Sequence, residues 1–161
     1  MRDFLLIDDP LADAATVAAG VTAAIEQDHG ICVEPSLLHA IKDEVAVATW
    51  SGYPTGKHHT LVKAAEARLA VQFGAEYVTV VPDFALVGTN AYMSELIAIR
   101  EAVPHPAKLG VFLDEQHCAE TMRDQAIAQA ARCGFDYLVG TSHHALPTMK
   151  LIDSTAKDER P

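Results

Sequence analysis

A chain of 161 residues, half of them hydrophobic, is long enough for one well-packed domain and too short for two ordinary ones. Its 22 acids against 12 bases leave a net charge of -10, whose field repels phosphate backbones and anionic lipid, so neither nucleic acid nor a membrane is an expected partner. No apolar run approaches the roughly 20 residues of a membrane span and Met1-Arg2-Asp3 is not a basic leader, so the expectation is a cytoplasmic protein.

The predicted elements alternate short apolar runs with helical patterns. Phe4 to Ile7 reads as a buried strand, and Asp8-Asp9-Pro10 ends it, with Asp9 as N-cap and Pro10 at the first position of an alanine-rich helix over about Leu11 to Gln27. Ile31-Cys32-Val33 is a second strand, followed through Glu34-Pro35-Ser36 by a short helix around Leu37 to Ile41. The third strand, Val45 to Trp50, runs into Ser51-Gly52-Tyr53-Pro54-Thr55-Gly56, a loop in which two glycines and a proline forbid regular structure. The next helix spans Thr60 to Phe73, with Leu61, Ala65, Leu69 and Phe73 on its expected apolar face and Lys63 and Glu66 on another.

Tyr77 to Val81 is the fourth strand, and the helix after it carries Met93, Leu96, Ile97 and Ala102 on its apolar side. Gly110 to Leu113 is the fifth strand, and a helix near Ala119 to Cys133 leads to a sixth around Tyr137. Phe73-Gly74-Ala75-Glu76-Tyr77-Val78 and Cys133-Gly134-Phe135-Asp136-Tyr137-Leu138 echo each other as repeated helix-stop and strand-start units. Pattern alone leaves a (β/α) barrel and an open doubly wound sheet both standing; the absence of a glycine-rich phosphate loop after the first strand argues against nucleotide-binding versions of the latter. Cys32, Cys118 and Cys133 are odd in number and lack a CxxC spacing, which reads as reduced thiols.

Three segments resemble, in order and spacing, signatures of the deoxyribose-phosphate aldolase family. Cys32-Val33-Glu34-Pro35-Ser36 is similar to its CVxPS, Val47 to Gly56 to its VATVxGFPxG, and Thr60 to Ala67 to its TTxVKxxEA. Phe73 to Tyr77, Ala85-Leu86 and Gly134 to Tyr137 continue the resemblance, which covers most of residues 4 to 142. It implies a TIM-type (β/α) barrel of the α/β class, here truncated to about six strand-helix units. It also implies a reaction type, reversible class I aldol cleavage through a Schiff base, without a cofactor.

Carried over residue by residue, the resemblance places the Schiff-base lysine at Val139 or Gly140, and neither forms an imine. The family's acid/base aspartate falls on Val78, and its lysine at the start of the fifth strand falls on Leu109 or Gly110, next to Lys108. None of Lys42, Lys57, Lys63, Lys108, Lys150 and Lys157 lies inside a predicted strand. The expectation is an aldolase-like protein for a small carbonyl or sugar-derived ligand that has lost the imine chemistry.

The strand exits nevertheless carry polar groups. Asp8, Asp9, Glu34, Asp83, Asp114 and Glu115 share the predicted rim with His58, His59, His117, His143 and His144, while Thr141 and Ser142 follow the sixth strand. Pocket candidates are therefore Asp8, Cys32, Asp83, Asp114, Thr141 and Ser142, although Cys32 also reads as a small buried core residue and the two hydroxyls as helix caps. A divalent metal on His58, His117, His143, His144 and Asp114, serving a lyase or hydrolase, is an alternative, as is a non-catalytic binding or assembly protein. Within each adjacent histidine pair the side chains are expected to point opposite ways.

Six strands leave either a tightly closed ring or two open edges, and a homo-oligomer in which Ala145 to Ile152 docks on a second copy is the expected cover. The barrel domain is placed at residues 1–152 and a polar, disordered tail at 153–161.

Overall fold

Glycine and proline punctuation divides the chain into short strands separated by helices, and the computed structural model, which describes residues 1–154, follows that division. In order, β1 (Phe4–Leu6), α1 (Ala14–Glu26), β2 (Gly30–Cys32), a 3-10 turn (Pro35–Ala40) and β3 (Val47–Ser51) are followed by α2 (Thr60–Gln72) and β4 (Tyr77–Val80). Then come α3 (Asn90–Ala102), β5 (Lys108–Phe112), α4 (Glu120–Arg132), β6 (Tyr137–Val139) and β7 (Leu151–Asp153). Every pairing is parallel, in the order β6-β5-β4-β3-β2-β1-β7, so all carboxyl ends of the strands point the same way.

The seventh strand corrects the expected docking arm. Leu151 pairs with Phe4 and Asp153 with Leu6, while just upstream Thr148 bridges Leu138 of β6. Leu138 N donates to Pro147 O at 2.9 Å and Met149 N to Leu138 O at 2.8 Å. Residues 147–149 therefore reach the outer edge of β6 at Leu138, while 151–153 extend the sheet beyond β1, so one segment of the same chain touches both ends of the curl. The Leu138 amide and carbonyl, which an open edge would expose, find partners in it. Asp153 belongs to β7, and Ser154 N donates to Leu6 O, so both precede any tail; residues 155–161 lie outside the described residues.

The sheet separates two apolar layers. Outside the curl, against the helices, Val78, Leu96, Ile99, Leu109, Val111, Ile127 and Leu138 form an aliphatic layer. Inside it, Phe4, Cys32, Ala48, Trp50, Tyr137, Val139 and Met149 pack together, as the period-2 alternation of buried strands requires. Gly110 is needed there, because a Cβ at that position would sit 2.2 Å from the Tyr137 ring.

Three helix assignments need correction. Asp9 closes a turn, accepting from Leu11 N, and the N-cap of α1 is Asp13, whose carboxylate accepts from Thr16 N in a capping box. In α2 the buried residues are Lys63, Ala64, Ala67 and Ala70, while Leu61 is 69% and Phe73 65% exposed. The apolar period pointed to the wrong face because Lys63 is buried with its charge paired: its Nζ lies 2.9 Å from Glu95 Oε1 and donates to Val81 O at 3.0 Å. Glu95 in turn fixes the rotation of α3, which buries Tyr92, Glu95, Leu96 and Ile99 and leaves Ile97 exposed. No helix among the described residues is long and apolar enough to cross a membrane.

Candidate functional site

Because all strands run parallel, their carboxyl ends meet at one mouth, and the residues that follow them build it. On the β1–β3 side, Tyr53 Oη donates to Asp8 Oδ2 at 2.6 Å, and its ring stacks on Trp50 with centroids 4.7 Å apart. Burial first, then the bond to Asp8, holds the Tyr53 phenol above the usual tyrosine range. Beneath them Cys32 is buried, and desolvation pushes its thiol well up, assisted by the charges of Glu34 and Asp8. Glu34, half-buried beside Asp8 and Glu66, is itself raised, chiefly by desolvation. Cys32 is thus a small apolar residue of the inner layer, with its thiol kept protonated.

The loop carrying Tyr53 is held from several sides. Gly52 N donates to Glu66 Oε1 at 2.9 Å, Gly56 N to Gly52 O at 2.8 Å, and Lys57 Nζ reaches Asp83 Oδ1 at 2.5 Å. A Cβ at Gly56 would sit 1.9 Å from Pro82 O, so only glycine fits that approach. The Lys57 ammonium, with the Ala85 amide, holds the Asp83 carboxyl below its ordinary range.

On the β4–β5 side, Asp114 accepts from His117 N at 3.0 Å and lies 2.7 Å from His117 Nδ1. The imidazole stacks on Phe84 at 4.8 Å, and Phe84 packs edge-on against Phe112. Two contacts fix the ring, and its Nε2 has no partner among the described residues.

Between β6 and β7 opens a cleft of about 480 Å³, lined by Phe112, Val139, Thr141, Ser142, Met149 and Lys150 among others. Thr141 and Ser142 are thus cleft residues and not helix caps, since the chain turns from them into the bridge with β6. Lys150, expected within the Ala145 to Ile152 docking segment, instead lies on this wall because the chain continues from it into β7. Val139, 3% exposed, belongs to the inner layer, whereas a Cβ on Gly140 would meet the Phe112 ring at 2.8 Å and Leu113 O at 3.0 Å. Of the two positions for an inward side chain on β6, Val139 is therefore the one.

The same alternation moves the β4 position. Val78 faces the helices, and the inward residue is Thr79, whose hydroxyl pairs with Tyr137 Oη at 2.8 Å. Lys108 is in β5 after all, at its amino end, half exposed and 4.0 Å from Asp136, and so stands at the far end of the barrel from the mouth. The histidines do not converge as a metal set. His58 is exposed, His59 caps α2 by accepting from Leu61 N, and His117 pairs with Asp114. His143 and His144 stack on each other at 4.2 Å, contrary to the expected opposite directions, because the chain there is a turn and not a strand. Among the described residues no three His, Cys, Asp or Glu side chains are grouped to hold a metal ion. Sequence reading missed Tyr53, Trp50 and Phe84 as mouth residues; the signal available was the departure of Trp50 and Tyr53 from the valine and phenylalanine of VATVxGFPxG.

No protein-family model matches the chain. It is 38% identical over 143 residues to the deoxyribose-phosphate aldolase of Corynebacterium jeikeium, covering 80% of this chain and 57% of that protein. It is 42% identical over 136 residues to the deoxyribose-phosphate aldolase of Corynebacterium glutamicum, with 80% and 59% covered. The fold is similar to the tetrameric deoxyribose phosphate aldolase of Aeropyrum pernix, with a TM-score of 0.77, 23% identity, and 87% of this chain and 62% of that one covered. The chain thus spans about three fifths of the length of the curated relatives it matches.

Proposed function

We propose, from the premise that this chain is a divergent member of the deoxyribose-phosphate aldolase family, that it takes a small carbonyl or sugar-derived ligand at the mouth without the class I imine on β6. The observation that supports this reading is Val139: a buried isopropyl group stands at the inward position of β6 where the resemblance puts the lysine. A class I aldolase needs an amine that is both near the carbonyl and unprotonated, and desolvation or a neighbouring cation normally supplies the second condition. Lys63 is the buried lysine, but its ammonium is paired with Glu95 outside the inner layer. Lys150 lines the cleft but is exposed to water and outside the buried inner layer.

What this chain's own residues supply is binding and proton transfer. Thr141 and Ser142 offer hydroxyls, Lys150 a cation, and Phe112, Val139 and Met149 an apolar wall, a combination suited to a short polar ligand with a charged end. Turnover of 2-deoxyribose 5-phosphate is the first test, with the ligand also titrated against backbone amide shifts. The expected result is no aldol cleavage above the buffer rate, with saturable shifts at Thr141 and Ser142. Cleavage abolished by substitution of one lysine would contradict it.

A second reading is favoured by the Asp114–His117 contact: a lyase or hydrolase that uses His117 as general base, with a divalent metal only if one is recruited to the free Nε2. Activity toward a small aldehyde or ester that is lost in His117→Gln, with or without chelator, supports acid/base work. Retention of full activity in that variant removes this reading and leaves a binding role.

A further inference from the structure

The axial space of the barrel, as distinct from the side cleft between β6 and β7, is occupied by aromatic rings. Trp50, the sole tryptophan, is 4% exposed; it stacks on Tyr53 at 4.7 Å and meets the Phe112 edge at 6.0 Å on the other side of the curl. Cys32, Val81 and Val139 share this cluster with it. The loop around Tyr53 is held by the backbone bonds of Gly52 and Gly56 and by the Lys57 side chain, and the Tyr53 side chain is tied at its tip by one hydrogen bond to the exposed Asp8.

We propose that Trp50 and Tyr53 form a plug in the axial mouth, latched by the Tyr53–Asp8 hydrogen bond, that sets the size of ligand reaching Cys32. With the latch closed, the indole fills the axis and only the side cleft admits a ligand. With it open, Tyr53 swings off Trp50 and an aldehyde or other compact neutral molecule enters between Trp50 and Phe112. The geometry explains why a phenol stands where phenylalanine would pack equally well: its hydroxyl is the tie. The proposal rests on the reading that ligands enter at this mouth, but its test needs no turnover and no cleft binding, so the two fail separately.

The test is the rate at which methyl methanethiosulfonate labels Cys32, whose buried, protonated thiol becomes reactive only when opening of the latch hydrates it, followed by peptide mass spectrometry with buried Cys118 and partly exposed Cys133 as internal controls. Tyr53→Phe is expected to raise the Cys32 rate about tenfold and Trp50→Val further, with both control rates unchanged. Acrylamide quenching of the single tryptophan should rise severalfold in Tyr53→Phe. Indole, which fits the space that Trp50→Val vacates, should slow Cys32 labelling in that variant and not in the wild type. An unchanged Cys32 rate in Tyr53→Phe overturns the latch. A rise at Cys118 by the same factor reports general unfolding and overturns it too, and failure of indole to protect Trp50→Val removes the ligand-sized space.

Discussion

The two sides of one sheet are built differently. Outside, against the helices, valine, leucine and isoleucine interlock by shape around one buried directional contact, Tyr92 Oη to Ala126 O; inside, a ring of aromatics is tied by Tyr137 to Thr79 and Tyr53 to Asp8. The outer layer is what makes the barrel, and it matches the aldolase frame. The inner layer faces the axis onto which the mouth opens, and valine, threonine and aromatic rings stand there. A frame of this kind can host more than one chemistry.

The sharpest way to break that comparison is Glu95→Ala, which leaves the buried Lys63 ammonium without its counter-charge. A loss of about 3–5 kcal/mol in denaturant unfolding is expected. Ile99→Ala in the outer layer should cost about 2–4 kcal/mol by the same measurement, since a fully buried side chain is truncated. Tyr137→Phe keeps the inner ring and deletes its hydroxyl, orphaning Thr79, and about 1–2 kcal/mol is expected. If Tyr137→Phe instead cost as much as Ile99→Ala, the inner layer would be as much a part of the frame as the outer one.

The smallest effects lie at the surface. Leu69→Gln, on the exposed face of α2, should change stability by less than about 0.5 kcal/mol, although sequence periodicity counts Leu69 as core. Glu34 gives a pH-dependent case. Its folded pKa is raised by burial and by Asp8 and Glu66, so the fold favours its protonated form; the stability that protonation contributes is present at acid pH and lost as pH rises through the raised value. Glu34→Gln should therefore raise Tm modestly at pH 7.5 and not at pH 4.

How much of this was legible in the sequence depends on how local the deciding contact is. Strand positions were readable from the apolar runs that follow the helix-stop glycines Gly30, Gly74 and Gly134, and Asp8, Asp83, Asp114, Thr141 and Ser142 were placed at the mouth by where the strands stop. The face of α2 was not, because it turns on Lys63 meeting Glu95 thirty-odd residues away, and a paired lysine looks like a solvated one in sequence. Residues 147–153 were hidden for a similar reason: three or four residues become a strand only when β1 and β6 offer edges to them. The stacked His143–His144 pair fails the extended-chain rule because it lies in the turn between those pairings.

The inward position of β6 carries Val139, and the proposed function requires that no amine of this chain form the imine. Borohydride reduction in the presence of acetaldehyde, with each lysine read by peptide mass spectrometry in folded and urea-unfolded protein, tests it directly. No lysine is expected to be ethylated faster in the folded protein than in the unfolded one. A single lysine trapped faster in the folded state, Lys150 above all, would show that the imine chemistry moved to another strand and was not lost.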